Sequence, residues 1–134
     1  MDKIIDKVIS TPLKVINNEK GNILHAMKSI DNGFEGFGEA YFSEIKFNET
    51  KGWKKHTKMT LNFIVPLGEV QVNIKENFDE MPSSYIIGES NYARLTIPPG
   101  LWVSFKGLSN NKSLILNIAN IEHDPEESEN IDII

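Results

Sequence analysis

An all-β fold, a sandwich or small barrel of about ten short strands, is what this sequence predicts. Two observations carry that expectation. Runs of β-branched and aromatic residues recur along the chain, and glycine, proline or asparagine interrupts them every ten residues or so. No stretch shows the three-to-four-residue apolar spacing of an amphipathic helix. With 134 residues, a single domain over 1–134 has enough chain for its own core.

The elements follow in order. Residues 4–9 and 13–16 read as strands on either side of Thr11-Pro12. Asn17-Asn18-Glu19-Lys20-Gly21 is a turn cluster, and residues 22–27 form the next strand. Residues 31–38, with three glycines, make a loop before a strand over 39–47. Residues 48–52 turn the chain into an extended segment over 53–67, broken or bent near Thr57. Gly68-Glu69 is a tight turn. Val70, Val72 and Ile74 then alternate with Gln71, Asn73 and Lys75, the period of a half-buried strand. A loop over 77–84 leads to short strands at 85–87 and 93–97. Pro98-Pro99-Gly100 turns the chain before a strand at 101–105, and Ser113 to Ala119 (SLILNIA) is a buried strand. Beyond Glu122 the chain is polar, and residues 126–134 read as a loosely held acidic tail.

Bulk chemistry narrows the function. The formal net charge of −5 argues against general nucleic-acid binding, which needs lysine and arginine to neutralise phosphates. The absence of cysteine removes disulfides, thiolate metal sites and cysteine nucleophiles, and fits a reducing compartment. The first residues lack the pattern of a signal peptide, and no apolar run nears the roughly 20 residues that span a bilayer. A cytoplasmic protein without membrane contact is expected.

Against this acidic background, KGWKKHTK at residues 51–58 gathers four lysines, a histidine and a tryptophan. On an unbroken strand, Lys54, His56, Lys58, Thr60 and Asn62 share one face, while Trp53, Met59, Leu61 and Phe63 share the other. The polar set either faces solvent or lines a cavity mouth. In a cavity its ammonium groups favour a diphosphate, with His56 as base or hydrogen-bond donor. Trp102 either stacks on a ligand or fills the core. Asn117, inside an apolar strand, is either a satisfied core amide or a ligand contact. Tyr41 alternates with Glu39 and Ser43 on its strand, for packing or for ligand. His25 and His123 read as core, surface or interface positions.

GFGEAYFSEI, KGWKKH, TLNFIVPLGEVQVNI, YARLTIPPGLWVSFKGLS and LNIANIEHDPEE occur in an order that resembles the dTDP-4-dehydrorhamnose 3,5-epimerase family and related nucleotide-sugar epimerases and isomerases. The resemblance covers roughly residues 9–125, with IPPGLWVSF as its most specific piece. It implies a cupin-type jelly roll (a double-stranded β-helix), a nucleotide-linked sugar as ligand, a homodimer and a role in cell-surface polysaccharide synthesis. It also implies isomerase chemistry without a cofactor. Carried over residue by residue, Lys54 falls where the family has its basic histidine, with His56 two places on. Lys51 falls on an arginine that contacts ligand, and Tyr41 lies on a strand that approaches the nucleotide. Leu61 falls on the family's lysine, Asn117 on its acidic tyrosine and Val103 on a further histidine. The aspartate that pairs with the family's base lies in a C-terminal extension for which this chain offers no match. The general cupin metal set is reduced to His56, with Lys58 beside it, so no metal is expected.

The expected site is therefore His56 and Lys54 for proton handling, with Lys51, Lys58, Tyr41, Asn62, Trp102 and Asn117 around the substrate. An epimerase or ketoisomerase is the leading reading. A non-catalytic cupin that binds a sugar nucleotide or small anion stands beside it, and a partner-binding jelly roll with a closed interior is the third.

Overall fold

A computed structural model describes residues 3–131. Among them there is no α-helix, only two 3₁₀ turns at Ile4–Lys7 and Pro125–Glu127. The strands are β1 (Ile9–Pro12), β2 (Val15–Ile16), β3 (Ile23–Leu24), β4 (Glu39–Ile45), β5 (Thr50–His56), β6 (Leu61–Leu67), β7 (Glu69–Lys75), β8 (Ser83–Gly88), β9 (Ala93–Ile97), β10 (Trp102–Gly107), β11 (Ser113–Ala119) and β12 (Ser128–Asn130). They form two five-stranded antiparallel sheets, ordered β1-β9-β6-β11-β4 and β12-β5-β10-β7-β8, while β2 and β3 make a separate hairpin. This is the all-β jelly roll the sequence predicts.

The period of two explains the core. Along β7, Val70, Val72 and Ile74 are buried while Gln71 and Asn73 are half-buried on the outer side. Along β11, Ser113, Ile115, Asn117 and Ala119 turn inward. The inner face of β7 meets Phe63, Val65, Leu95, Ile97, Ile115 and Ala119 of the other sheet to form one continuous apolar cluster. Burial of such faces is the main driving force for the sandwich.

Several expected boundaries move. Residues 4–7 form a 3₁₀ turn, and the strand begins at Ile9 and includes Pro12. Proline is tolerated there because β1 is an edge strand, paired only with β9. Of residues 22–27 only Ile23 and Leu24 are strand. The segment 53–67 is broken near Thr57, as expected, into two strands. The chain leaves β5 after His56, turns through residues 57–60, and enters the opposite sheet as β6. The acidic stretch is not loose up to Ile131: residues 125–127 turn and β12 pairs with β5, opposing Ser128 to His56 and Asn130 to Lys54. Residues 132–134 lie outside the described residues.

Two glycines are required by contact. A Cβ on Gly52, where φ is +126°, would lie 2.7 Å from Ser104 Cα, because β5 and β10 approach closely there. A Cβ on Gly33 (φ +95°) would lie 2.6 Å from Thr96 Oγ1. The loop over 31–38 thus presses on the outer face of the first sheet.

Candidate active site

Between the two sheets opens a cavity of about 330 Å³. Its apolar wall is Leu61 and Phe63 from β6, Val103 and Phe105 from β10, and Ile115 from β11. Phe63 and Phe105 meet edge to face, with ring centroids 6.1 Å apart. Its polar members come from both sheets: Tyr41, Ser43 and Asn117 from one, Lys51, Lys54 and His56 from the other.

His56 is 8% exposed at the end of β5. Its backbone carbonyl accepts from Gly100 N–H at 2.7 Å, so the Pro98-Pro99-Gly100 turn fixes the strand end. Its Nδ1 lies 2.6 Å from Glu127 Oε1. The other carboxylate oxygen accepts from the N–H groups of Lys58 (2.9 Å) and Met59 (3.0 Å). Glu127 therefore holds the imidazole and the corner between the two sheets together. Burial pushes its carboxyl up. The bond to His56, the two backbone N–H groups and the imidazole charge outweigh that, and the carboxyl sits below the ordinary glutamate value. A carboxylate facing Nδ1 makes that nitrogen the proton carrier. Nε2 is left as the basic lone pair available to a ligand in the cavity.

Tyr41 and Asn117 form the opposite side. The backbone N–H of Asn62 donates to Asn117 Oδ1 at 3.2 Å, which fixes the amide orientation. Asn117 Nδ2 then donates to the Tyr41 oxygen at 3.1 Å. Since that oxygen is an acceptor in this bond, the phenolic O–H keeps its proton for another partner. Lys51 Nζ is anchored on the Glu44 carbonyl (2.6 Å) and reaches Ser43 Oγ at 3.4 Å. Lys54 stands on β5 between Val103 and Asn130 and lines the cavity.

Of the eight residues singled out in the sequence, His56, Lys54, Lys51, Tyr41 and Asn117 line one cavity. Lys58, Asn62 and Trp102 do not. Lys58 is exposed at the corner after β5, where the strand face ends. The same corner reverses the parity of the following residues, so Leu61 and Phe63 point inward. Asn62 bonds Gly33 O (3.1 Å) and Thr96 Oγ1 (2.6 Å) on the outer face. Trp102 is packed on the outer side of the second sheet, 5.4 Å from the Phe78 ring, with Lys55 Nζ 5.7 Å from its own ring.

Glu127 was missed. Its sequence signal is Asp124-Pro125-Glu126, an N-cap, a proline and an acidic first turn, and Asp124 indeed accepts from Glu126 N–H at 3.0 Å. It supplies from a 3₁₀ turn the carboxylate for which a longer extension was expected. Asn130 and Ile131 also line the cavity, and Ile131 is locked to Trp53 by two backbone bonds of 2.7 and 2.8 Å. Among the described residues no three His, Cys, Asp or Glu side chains gather as metal ligands, and no helix is long and apolar enough to cross a membrane.

Comparison with known proteins gives consistent results. The family described as FdtA: WxcM-like, C-terminal matches residues 6–131. A curated relative, the probable low-salt glycan biosynthesis epimerase Agl13 of Haloferax volcanii, is 25% identical over 122 residues, covering 86% of this chain and 78% of its own. The crystal structure of a dTDP sugar isomerase from Desulfovibrio desulfuricans G20 superposes with a TM-score of 0.89 at 31% identity, over 95% of this chain and 85% of that one. QdtA, a sugar 3,4-ketoisomerase from Thermoanaerobacterium thermosaccharolyticum solved with TDP, shares the fold at a TM-score of 0.77 and 20% identity, over 91% and 86% of the two chains.

Proposed function

Because the chain belongs to the FdtA (WxcM-like, C-terminal) family and resembles a glycan biosynthesis epimerase, a dTDP sugar isomerase and a sugar 3,4-ketoisomerase, we propose that it isomerises a nucleotide-linked keto-sugar, a dTDP-sugar in the first instance, for cell-surface glycan synthesis. Lipopolysaccharide is one destination for such a sugar. The observation that carries the proposal is the His56–Glu127 pair at a cavity that also holds an ammonium and a phenol.

The chemistry needs a base for a carbon-bound proton next to a ketone. His56 Nε2 takes that proton, the C–H electrons pass into the enolate, and Glu127 balances the imidazolium that forms. Lys54 supplies positive charge to the enolate oxygen. In a cavity walled by Leu61, Phe63, Val103, Phe105 and Ile115 that charge acts with little water to screen it. Tyr41 donates its phenolic proton from the opposite sheet, in the role for which Asn117 itself has no proton to give. Return of the proton from the Tyr41 side inverts the carbon. Its return from His56 to the former carbonyl carbon, with the hydroxyl proton of the first carbon passing to the enolate oxygen, moves the ketone. Lys51 sits where the diphosphate leaves the cavity.

Incubation with dTDP-4-keto-6-deoxyglucose in deuterated water tests this. The expected result is deuterium at C3 or C5, or a 3-keto product, lost in His56→Ala. TDP binding without either outcome would establish the alternative, a non-catalytic cupin. We further place the protein in the cytoplasm as a homodimer. Exposed Phe37, Phe42, Ile23 and Ile30 support the dimer, and sedimentation velocity checks it through the mass in solution.

A further inference from the structure

A second groove, of about 240 Å³, lies on the outer face of the first sheet and shares no residue with the cavity between the sheets. The end of β1 and Lys14 form one side, residues 25–28 the other, and Arg94 of β9 is its buried member. Arg94 is 1% exposed. A guanidinium withdrawn from water is costly unless each N–H finds an acceptor. Nη1 donates to Ala26 O (2.8 Å) and Asp31 Oδ2 (3.3 Å), and Nη2 to Asn32 O (3.2 Å). Nε–H has no acceptor among the described residues. The one carboxylate present is already shared, since Asp31 Oδ2 also accepts from Lys28 N–H at 2.7 Å.

Charge points the same way. Lys14, Lys28 and Arg94 stand against Asp31 alone, an excess of two positive charges on a molecule of net −5. Lys14 and Lys28 enter no ion pair among the described residues. We propose that this groove binds a small phosphate-type dianion, whose oxygen accepts from Arg94 Nε–H and whose charge is met by Lys14 and Lys28. The dianion matches the excess charge, as a single carboxylate does not. The volume falls below the roughly 300–1,000 Å³ that holds a whole drug-sized ligand, which fits inorganic phosphate or a small phosphate monoester and not a nucleotide.

The test is a titration of the ¹⁵N-labelled full chain at pH 7.5 and fixed ionic strength. Inorganic phosphate, glycerol phosphate and acetate are added in separate arms, with chloride as the blank. Saturable shifts of Arg94 Nε–H and of the amides of residues 25–32 are expected with phosphate, with the residues around His56 unmoved. The double variant Lys14→Gln/Lys28→Gln, altered only at exposed side chains, should bind at least tenfold more weakly. Tighter binding of glycerol phosphate would identify a monoester as the occupant, and tighter binding of phosphate the free ion. Equal shifts with acetate or chloride, or unchanged affinity in the double variant, would overturn the proposal.

Discussion

Replacing Glu127 by glutamine changes one oxygen to an NH₂ at a carboxylate that serves three donors at once. In the native chain Oε1 faces His56 Nδ1 at 2.6 Å, and Oε2 accepts from Lys58 and Met59 N–H. Glutamine satisfies one side only. With its NH₂ toward the backbone, two N–H groups face a donor. With its NH₂ toward the ring, Nδ1 must become the acceptor, and the proton moves to Nε2, where the base is needed. Charge-assisted bonds contribute about 1.5–3 kcal/mol each. Weakening two or three of them while keeping the shape should cost about 2–4 kcal/mol of stability. Loss of a correctly poised general base typically costs about 10²–10⁴ in rate. Urea unfolding, kcat on the keto-sugar and the ¹⁵N shifts of the imidazole measure the three effects. The sign with pH is also fixed. The carboxyl is depressed in the fold, so its contribution is present above the unfolded value near 4.5 and is lost as pH falls through the lower folded value. The stability gap between the two proteins should therefore close on acidification. A gap that stays constant from pH 7 to pH 3, or a variant with kcat within threefold and Nδ1 still protonated, would refute the pairing as the basis of catalysis.

Tyr41→Phe removes the phenolic proton and keeps the ring, so kcat should fall about 10²-fold or more while TDP affinity changes little; titration calorimetry and turnover separate the two. Lys51→Ala should weaken TDP about tenfold, and the loss should shrink as salt is raised, since it removes one ammonium from the diphosphate path. Lys58→Ala, outside the cavity, should leave that affinity within twofold. Gly52→Ala places a Cβ against Ser104 in a left-handed backbone, and should lower stability by about 2 kcal/mol or more, read as a shift in urea midpoint.

The fold was legible because its signals are local. Alternation in Val70 to Lys75 and the Pro98-Pro99-Gly100 turn each specify a strand or its end without reference to distant residues. The site was legible only as far as strand parity holds. It places Lys54 and His56 on one face of β5, and it fails at residues 57–60, where the chain changes sheets and turns Asn62 outward. An interruption near Thr57 is legible, but not its length or the change of sheet, because the residues on both sides are ones a strand accepts. Glu127 lay beyond reach for another reason. Its partner is 71 residues away, and such a pairing is a property of the closed sandwich and not of any window of sequence.

That separation has a consequence for how activity is gained and lost. The histidine acquires its counterpart only when a three-residue ladder at a sheet margin zips onto β5. Margins fray at far smaller free energies than interiors melt. Mild heat or denaturant should thus silence turnover while the hydrocarbon interior stays intact, and during synthesis the chemistry should switch on only after residues 127–130 have emerged.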